Sequence, residues 1–383
     1  MMRNKKSSST KILEELAQGF QKRTIPANYM DDPGSRAAYG DYYGEVGFEK
    51  GFALISEMVS RVDPGFFREK SPFRLIDLGT GTGGFLRGVV SGLEGLDPPV
   101  TEFDILCVDR SLGALEDLQK KWTIEKTVPL RIRSGSLVEP PLLFEGFSGI
   151  SLITMANVLA ENEGRVSYFV NLFDLLFDRL DPGGGCLLAE PADRKASRAL
   201  LQLGDQLISR RSDVRIVAPC PNNRTGSCPA LADPDNWCHE DRPAEFSPGL
   251  KRTALALGHV KDALKMSYLM MRRERPQAHS SPRTLRLVSS LHQEKGLSWG
   301  IFCDGSHLLR VRLLNRNRNE GTRVFSRLKR GDVLVSPEFH QESDAEFAKN
   351  PSCDWRPEDQ VILLTRADGR PVEREHPDPG QES

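Results

Sequence analysis

Three cysteines lie within one proline-rich stretch of the sequence, and a fourth follows much later in the chain. Cys220, Cys228 and Cys238 occur in APCPNNRTGSCPALADPDNWCHEDRP, and Cys303 ends the strand-like segment LSWGIFC. Four thiolates can surround zinc or an iron-sulfur cluster in a tetrahedral arrangement. Structural zinc sites usually take their cysteines in close pairs, so the wide and unequal spacing here favours a cluster, with zinc as the alternative. His239, next to Cys238, is a candidate to replace one thiolate.

The alternative for these positions is that they are ordinary buried cysteines. Cys107 and Cys186 fit that description, because both lie on apolar, strand-like runs. Seven cysteines in a chain of 383 residues do not indicate a disulfide framework in an intracellular protein. Cysteines in a segment rich in chain breakers need another explanation, and metal or cluster ligation is the one that their chemistry supplies.

A glycine-rich turn, LIDLGTGTGGF, is the second chemical signature of the sequence. Gly79, Gly81 and Gly83 follow a predicted buried strand, and such turns let backbone N–H groups approach a ligand closely. Asp77 just before the turn suits a cofactor with a cationic amino-acid part, which favours S-adenosylmethionine over a dinucleotide. Asp109 ends the second predicted strand and can accept hydrogen bonds from ribose hydroxyls, a role common to both cofactors. A strand-to-helix turn without a ligand is the alternative.

The segment after the fourth predicted strand reads MANVLAENEG. It lacks the Asn/Asp-Pro-Pro-aromatic motif that methyltransferases acting on amines or bases often carry. Asn157 and Glu161 are candidates to line the cofactor pocket, although a helix cap is an equal interpretation of Asn157. The sequence therefore assigns no catalytic residue.

Short apolar runs alternate with helix-length segments from Phe73 onward. The strands and helices that this pattern predicts must position the glycine turn and the cysteines. The runs are RLIDLG, FDILCVD, GISLITMANV and GGCLLAE, which favour a parallel, doubly wound sheet. We expect KMSYLMM and LSWGIFC to complete a seven-stranded sheet. The expected fold class is α/β, with the Rossmann-like sheet of a class I S-adenosylmethionine methyltransferase.

Four regions are expected along the chain. A helical N-terminal segment covers 1–70, and a methyltransferase-like domain covers 71–303 and includes the Cys-rich region 218–248. A basic β-rich extension follows over 304–340, and residues 341–383 form an acidic, partly disordered tail.

Positive charge is concentrated in one segment, although the formal net charge of the whole chain is only -1. Because positive and negative charges nearly balance, the chain as a whole has no electrostatic field that would attract nucleic acid or membranes. Leu308 to Gly331 contains eight basic residues and the single acid Glu320, which favours a local, salt-dependent contact with RNA phosphates over a merely solvated strand face. The candidate RNA contacts are Arg310, Arg312, Arg316, Arg318, Lys329 and Arg330.

No apolar run approaches the roughly 20 residues that span a bilayer, and the first residues do not resemble an export signal. We therefore expect a soluble protein of the bacterial cytoplasm, or of the mitochondrial matrix if the source is eukaryotic.

From about Ser35 to Pro337 the sequence resembles the methyltransferase-like assembly proteins of the mitochondrial small ribosomal subunit and their bacterial relatives. The similarity lies in SRAAYGDYYGEVGFEKGFALISEM, the glycine turn, NVLAEN, GGCLLAEPADRKASRALLQLGDQL, the Cys-Pro, Cys-Pro and Trp-Cys-His pieces, KMSYLMM, and Cys303 before a basic strand and RGD. Two departures are Glu240, where the family tends to have an aromatic residue, and a wider spacing of the first two cysteines.

The resemblance implies a four-iron four-sulfur cluster on Cys220, Cys228, Cys238 and Cys303, and binding to the head of the small subunit during its assembly. The implied partner is 16S-type rRNA, with no membrane or DNA partner. Three functions follow as hypotheses: an assembly factor that binds S-adenosylmethionine without transferring its methyl group, an active rRNA methyltransferase, and an iron- or redox-sensing binding module.

Overall fold

Two β-sheets and ten α-helices make up the part of the chain that the computed structural model describes. The described residues are 8–61, 64–125, 128–138, 141–224, 226–259, 262–274, 284–335, 352–355, 362–370 and 372. The helices are α1 (Ser8–Lys22), α2 (Pro33–Tyr39), α3 (Glu45–Arg61), α4 (Pro64–Arg68), α5 (Gly84–Glu94), α6 (Leu112–Glu125), α7 (Val158–Glu161), α8 (Val166–Phe177), α9 (Arg194–Arg210) and α10 (Pro248–Ala256). The strands of the first sheet are β1 (Phe73–Leu78), β2 (Phe103–Asp109), β3 (Leu130–Ser134), β4 (Ile150–Ala156), β5 (Leu180–Glu190), β6 (Val214–Ala218), β7 (Glu240–Pro243) and β8 (Ala263–Arg273).

The strands of the first sheet follow the order β3-β2-β1-β4-β5-β8-β6, with β7 paired to β8. The pairs among β1 to β5 are parallel, whereas β8 runs antiparallel to both β5 and β6. This strand order, with one reversed strand near the edge, is that of the class I S-adenosylmethionine methyltransferases. The predicted fold class is confirmed.

Helices cover both faces of this sheet, which is why its central strands are apolar throughout. All seven residues of β4 except the last are buried. On one face the sheet packs against α3, α5 and α6, and on the other against α8 and α9. A Cβ atom at Gly84 or Gly88 of α5 would overlap the backbone carbonyl oxygens of Gly44 and Phe48. The glycines therefore let α3 approach α5 closely and bring the N-terminal segment over the glycine turn.

A second sheet follows in the order β14-β12-β11-β9-β13-β15, with β10 paired to β11. Its strands are β9 (Thr284–Leu287), β10 (His292–Glu294), β11 (Leu297–Cys303), β12 (Leu308–Leu314), β13 (Val333–Val335), β14 (Ser352–Asp354) and β15 (Leu363–Thr365).

The expectation that LSWGIFC would complete the first sheet is wrong, because this segment is β11 of the second sheet. The place at the first sheet's edge is taken by β6, while KMSYLMM is β8 as predicted. The physical reason is visible in β11, where only every second residue is buried. That alternation is typical of a sheet covered on one face, unlike the continuous burial of strands covered on both faces.

Two strands, β14 and β15, fall within the stretch that was expected to be a partly disordered tail. The rest of that prediction concerns 341–351, 356–361, 371 and 373–383, which lie outside the described residues. Within the described ranges, no helix is long and apolar enough to cross a membrane.

Four buried charged side chains join the two sheets. Glu57 of α3 pairs with Arg242 of β7, and Arg286 of β9 pairs with Glu240 of β7 at 2.8 Å. The Tyr268 hydroxyl on β8 donates to Glu57 at 2.8 Å and accepts from both guanidiniums at 3.1 Å. Each of the four charged side chains is at most 2% exposed. Burial opposes ionisation of Glu57, yet the guanidiniums of Arg242, Arg61 and Arg286 hold its pKa well below the usual range.

We expect Glu57→Gln to lower the free energy of unfolding by roughly 3–5 kcal/mol, because it leaves buried guanidiniums without their counter-charge. Equilibrium denaturant unfolding measures the loss. Glu163→Gln is the matched control, since Glu163 pairs with Lys195 at 3.1 Å on the surface and that pair should contribute less than about 1 kcal/mol. Equal effects of the two substitutions would contradict a structural role for the buried charges.

Candidate cofactor and cysteine sites

The glycine turn between β1 and α5 forms one wall of a cavity at the carboxyl end of the sheet. Gly79 and Gly81 have φ angles of +67° and +52°, which favour glycine. The Asp109 carboxylate accepts hydrogen bonds from the backbone N–H groups of Gly81 at 2.7 Å and Ser111 at 2.8 Å. These bonds fix the end of β2 against the turn.

Five of the six predicted cofactor-binding residues line this cavity: Asp77, Gly79, Gly81, Asp109 and Asn157. Gly83 does not line it. It precedes α5 with a φ of +75°, and a Cβ atom there would overlap Leu118 of α6. Gly83 is therefore needed for the turn and for packing.

Asp77 is almost completely buried, at 2% exposure. Its Oδ1 accepts a hydrogen bond from the Thr154 hydroxyl on β4 at 2.5 Å. Burial raises the pKa of this carboxyl group to about 7, against the opposing effect of its hydrogen bonds. The cavity thus contains a carboxylate whose charge depends on pH near neutrality.

Asn157 follows β4 in the left-handed conformation, with φ of +62°. Its position is the N-cap of α7, but its side chain makes no capping hydrogen bond, and Tyr39 is hydrogen-bonded to it instead. The cap of α7 is provided by Glu190, whose carboxylate accepts from the N–H groups of Leu159 and Ala160 at 2.8 and 3.0 Å. Burial raises the pKa of Glu190 to about 8.

Sequence reasoning missed the aromatic residues that the N-terminal segment contributes to the cavity. Tyr29, Tyr39 and Tyr43 line it, and the Tyr29 hydroxyl donates to Glu161 at 3.2 Å. The motif YGDYYG, which contains Tyr39 and Tyr43, was the available signal for two of them, because glycines beside tyrosines permit close approach to the glycine turn. Glu161 also lines the cavity, and burial raises its pKa to about 7.

The four predicted ligand cysteines converge on a second place, a cavity of about 250 Å³ between the two sheets. Cys220 follows β6, Cys228 precedes a short 3-10 helix at Pro229–Leu231, Cys238 precedes β7, and Cys303 ends β11. None of the four is in a disulfide. Burial and then the neighbouring Cys220 thiol raise the pKa of Cys228 to about 11 and of Cys303 to about 12. With pKa values this high, these two thiols are protonated at neutral pH unless a bound metal stabilises the thiolates.

Three guanidinium groups line the cysteine cavity: Arg224, Arg286 and Arg330. The Arg224 Nε donates to the Cys220 Sγ at 3.2 Å, and the backbone N–H of Gly305 donates to the Cys303 Sγ at 3.3 Å. No carboxylate is found among the described residues that line this cavity. Each guanidinium is paired with a carboxylate that lies outside the lining: Arg224 with Asp205, Arg286 with Glu240 and Arg330 with Asp241. The lining therefore offers N–H donors to sulfur without an excess of positive charge.

His239 also lines the cysteine cavity. Arg330 Nη1 lies 2.5 Å from its Nε2, while its buried Nδ1 has no hydrogen-bond partner among the described residues. Burial and then Arg330 lower the pKa of His239 to about 4. The imidazole is therefore neutral and, with Nε2 accepting, carries its proton on Nδ1.

No three His, Cys, Asp or Glu residues in the described ranges form a group that could hold a metal ion. Zinc bonds to sulfur at about 2.3 Å, so a single zinc ion needs its four sulfur atoms close together. The four thiols surround a common cavity without that compact arrangement.

The predicted RNA-contact residues do not all lie in the same environment. Arg310 is exposed and stacks over the Trp299 ring at 4.1 Å, and Arg316 and Lys329 are exposed. Arg312 pairs with Asp354 at 2.7 Å, and Arg318 donates to the Ser298 hydroxyl at 2.8 Å.

Arg330 instead turns inward. It donates through Nε to the Val288 carbonyl at 2.9 Å and contacts His239 at the cysteine cavity. We therefore assign it to that cavity and not to the exposed basic face.

Comparison with known proteins adds a family and several structural neighbours. Residues 72–334 match the family model described as mitochondrial small ribosomal subunit Rsm22. No curated protein sequence matches the chain. Similar solved structures include the plantazolicin methyltransferase BpumL in complex with SAH, at 13% identity over 69% of this chain and 100% of that chain, with a TM-score of 0.40.

Two further neighbours are also methyltransferases. The ribosomal protein L11 methylase from Lactobacillus delbrueckii subsp. bulgaricus has 13% identity over 57% of this chain and 78% of that chain, with a TM-score of 0.31. The N-methyltransferase NodS from Bradyrhizobium japonicum WM9 has 11% identity over 67% of this chain and 97% of that chain, with a TM-score of 0.36. Because the family model matches well over half of the chain, this chain belongs to the Rsm22 family of the mitochondrial small ribosomal subunit.

Proposed function

We propose that this protein binds the rRNA of the small ribosomal subunit during assembly, with S-adenosylmethionine in the first cavity and a four-iron four-sulfur cluster in the cysteine cavity. The observation that carries the proposal is the convergence of four cysteines, from two distant segments, on one cavity at the junction of the sheets. Membership of a ribosomal-subunit family supports the partner. The compartment would be the mitochondrial matrix or the bacterial cytoplasm.

The residues around the cysteine cavity fit a cluster in size and in the N–H donors that they offer to sulfur. About 250 Å³ is room for a group of several atoms. A cluster held at its corners keeps its ligand sulfurs farther apart than a single zinc ion does, which is consistent with thiols that are not compactly grouped. The Arg224 Nε, which donates to the Cys220 Sγ, would stabilise the negative charge on one ligand sulfur. Cys220, Cys228, Cys238 and Cys303 would be the ligands, and bound metal would supply the cation that keeps them deprotonated.

The first cavity fits S-adenosylmethionine in the chemistry of its lining. When bound, this cofactor offers a methyl group on a sulfonium sulfur. Asp77 would pair with its ammonium group, and Asp109 would accept from its ribose hydroxyls, beside the peptide groups of the glycine turn. Tyr29, Tyr39 and Tyr43 would cover the ligand and exclude water.

An active rRNA methyltransferase is the second candidate function. The observation in its favour is a larger cavity that adjoins the first and shares Tyr39, Tyr43 and Asn157 with it. The segment after β4 still offers no Pro-Pro-aromatic motif, so we assign no catalytic residue. A redox-sensing role is compatible with the first proposal. The cysteine cavity lies between the two sheets, so loss of a bound cluster would act on their contact.

The exposed arginine and lysine side chains of the second sheet would contact RNA phosphates. Arg310 projects from β12, whose alternate residues Leu309, Val311 and Leu313 are buried. Arg316 and Lys329 lie in the connections that follow this strand. Such contacts give an affinity that falls steeply with salt.

Protein purified without oxygen should contain iron and acid-labile sulfide in equal amounts, and Cys228→Ser should lose both. Elemental analysis and visible absorption measure this outcome. Cys186→Ala is the matched control, because Cys186 is buried on β5 away from the cavity and should leave the iron content unchanged. Zinc alone, or iron that survives Cys228→Ser, would contradict the cluster.

Asp77→Asn should weaken S-adenosylmethionine binding at pH 8 by about tenfold or more, because a charge-assisted contact is lost. With a raised pKa near 7, Asp77 gains its charge between pH 6 and pH 7, below the roughly 7.7–8.0 pKa of an α-amino group, so native affinity should rise with pH over that interval. Isothermal titration calorimetry at several pH values measures both effects. Asp235→Asn, at a surface position whose side chain is 83% exposed, is the control. Identical affinities and pH profiles for Asp77→Asn and the native protein would rule out the assigned contact.

Arg316→Gln and Lys329→Gln should each weaken binding to small-subunit rRNA and reduce the slope of log affinity against log salt by about 0.7–0.9. Filter binding over a salt series checks this. Arg252→Gln on α10 removes one exposed arginine elsewhere and should leave the slope unchanged. A uniform effect of all three substitutions would show that only net charge matters.

A further inference from the structure

A large cavity of about 450 Å³ adjoins the cofactor cavity. This second cavity beside the glycine turn is distinct from the cysteine cavity. The cofactor cavity and this second cavity share Tyr39, Tyr43, Gly47, Lys50, Asn157 and Glu161. Beyond the shared wall, the second cavity is bounded by the end of α1, the segment before α9 and the start of β8. Its volume lies in the range of cavities that bind small molecules.

Aromatic rings form one wall of this second cavity. Tyr39 and Tyr43 are stacked, with ring centroids 5.0 Å apart and an interplanar angle of 29°. Phe20 of α1 meets the Tyr43 ring edge-on, with centroids 5.4 Å apart. All three side chains are only partly buried. A wall of this kind favours a flat, aromatic ligand that can stack.

Polar groups of both signs surround the aromatic wall. The cationic side chains are Arg23, Lys50 and Lys265, and the carboxylates are Glu161, Glu163 and Asp193. Arg23 pairs with Asp193 at 2.7 Å and donates to the Ala160 carbonyl at 3.1 Å, so it closes the cavity on the side of α1. Because the charges balance, the lining does not select a strongly charged group. It offers donors and acceptors to a neutral one.

We propose that the second cavity receives one unpaired nucleobase of RNA. Nucleobases are flat and neutral, they stack on aromatic side chains, and their edges carry both donors and acceptors. The shared residues Asn157 and Glu161 would place the base beside the cofactor cavity. An ammonium group of a protein side chain is a poorer occupant, since the balanced lining gives a cation no net attraction and such a side chain presents no flat face to the stacked tyrosines. The inference rests on the proposed RNA partner and adds to it the subsite for a single base.

Photocrosslinking tests this subsite directly. The probes are two pools of short single-stranded RNA, one with a single 5-iodouridine and the other with a single 8-azidoadenosine, each bound in the presence of S-adenosylhomocysteine. After irradiation, mass spectrometry should place crosslinks on Phe20, Tyr39 or Tyr43. Crosslinks confined to Trp299 and the second sheet would overturn the subsite and leave the RNA partner in place. An absence of salt-dependent RNA binding would overturn both.

A cavity-filling substitution provides the second arm. Ala192 lines the second cavity and not the first, so Ala192→Trp should reduce crosslinks at the aromatic wall by about fivefold or more, given the usual contribution of stacking one base. Affinity for S-adenosylhomocysteine should stay the same. Gln202→Trp adds the same side chain at an exposed position of α9 and should leave the crosslinks unchanged. Undiminished crosslinks in a folded Ala192→Trp protein would overturn the proposal. The map on native protein decides the question if that variant does not fold.

Discussion

Four charged groups, Glu57, Arg242, Glu240 and Arg286, are buried where the two sheets meet, and much of the structure depends on their mutual compensation. Buried charges are costly without a group of opposite charge, so the pairing of these four groups leaves the surrounding backbone little freedom. Glu57 belongs to the helix that packs on α5 behind the glycine turn. Arg286 also donates to the Pro219 carbonyl at 3.2 Å, directly before Cys220. One ionic network therefore connects the helix behind the cofactor turn, the cysteine loop and the second sheet.

The loop that contains three of the cysteines has few apolar contacts of its own. Cys228 and Ala230 pack against Leu201 of α9 in a small cluster, and Arg198 of α9 binds backbone carbonyl groups of the loop, including that of Asp233 at 2.7 Å. Asp205, one turn further along α9 than Leu201, accepts from the Cys228 N–H at 2.8 Å and pairs with Arg224. Hydrogen bonds to α9 thus position the loop, and ligation by a central group would complete its organisation.

The sequence was sufficient to predict what depends on local pattern. The apolar runs of β1 and β4 indicated the first sheet, and the residue types at the turn and in the cysteine loop indicated two sites. The missed features depend on contacts between distant residues. Glu57 and Arg242 are 185 positions apart, and no periodicity links them. Arg330 was counted with a basic segment because its inward hydrogen bonds to Val288 and His239 are set by tertiary structure alone.

If a cluster fills the cysteine cavity as proposed, it would hold the loop and the second sheet to the first. Hydrogen-deuterium exchange of protein prepared without oxygen, before and after removal of iron by a chelator, tests this most directly. We predict that backbone amides of residues 219–239 and of β11 lose protection on chelation, while those of β1 and β4 keep theirs. Unchanged protection across the loop and β11 in iron-containing and iron-free protein would contradict the claim.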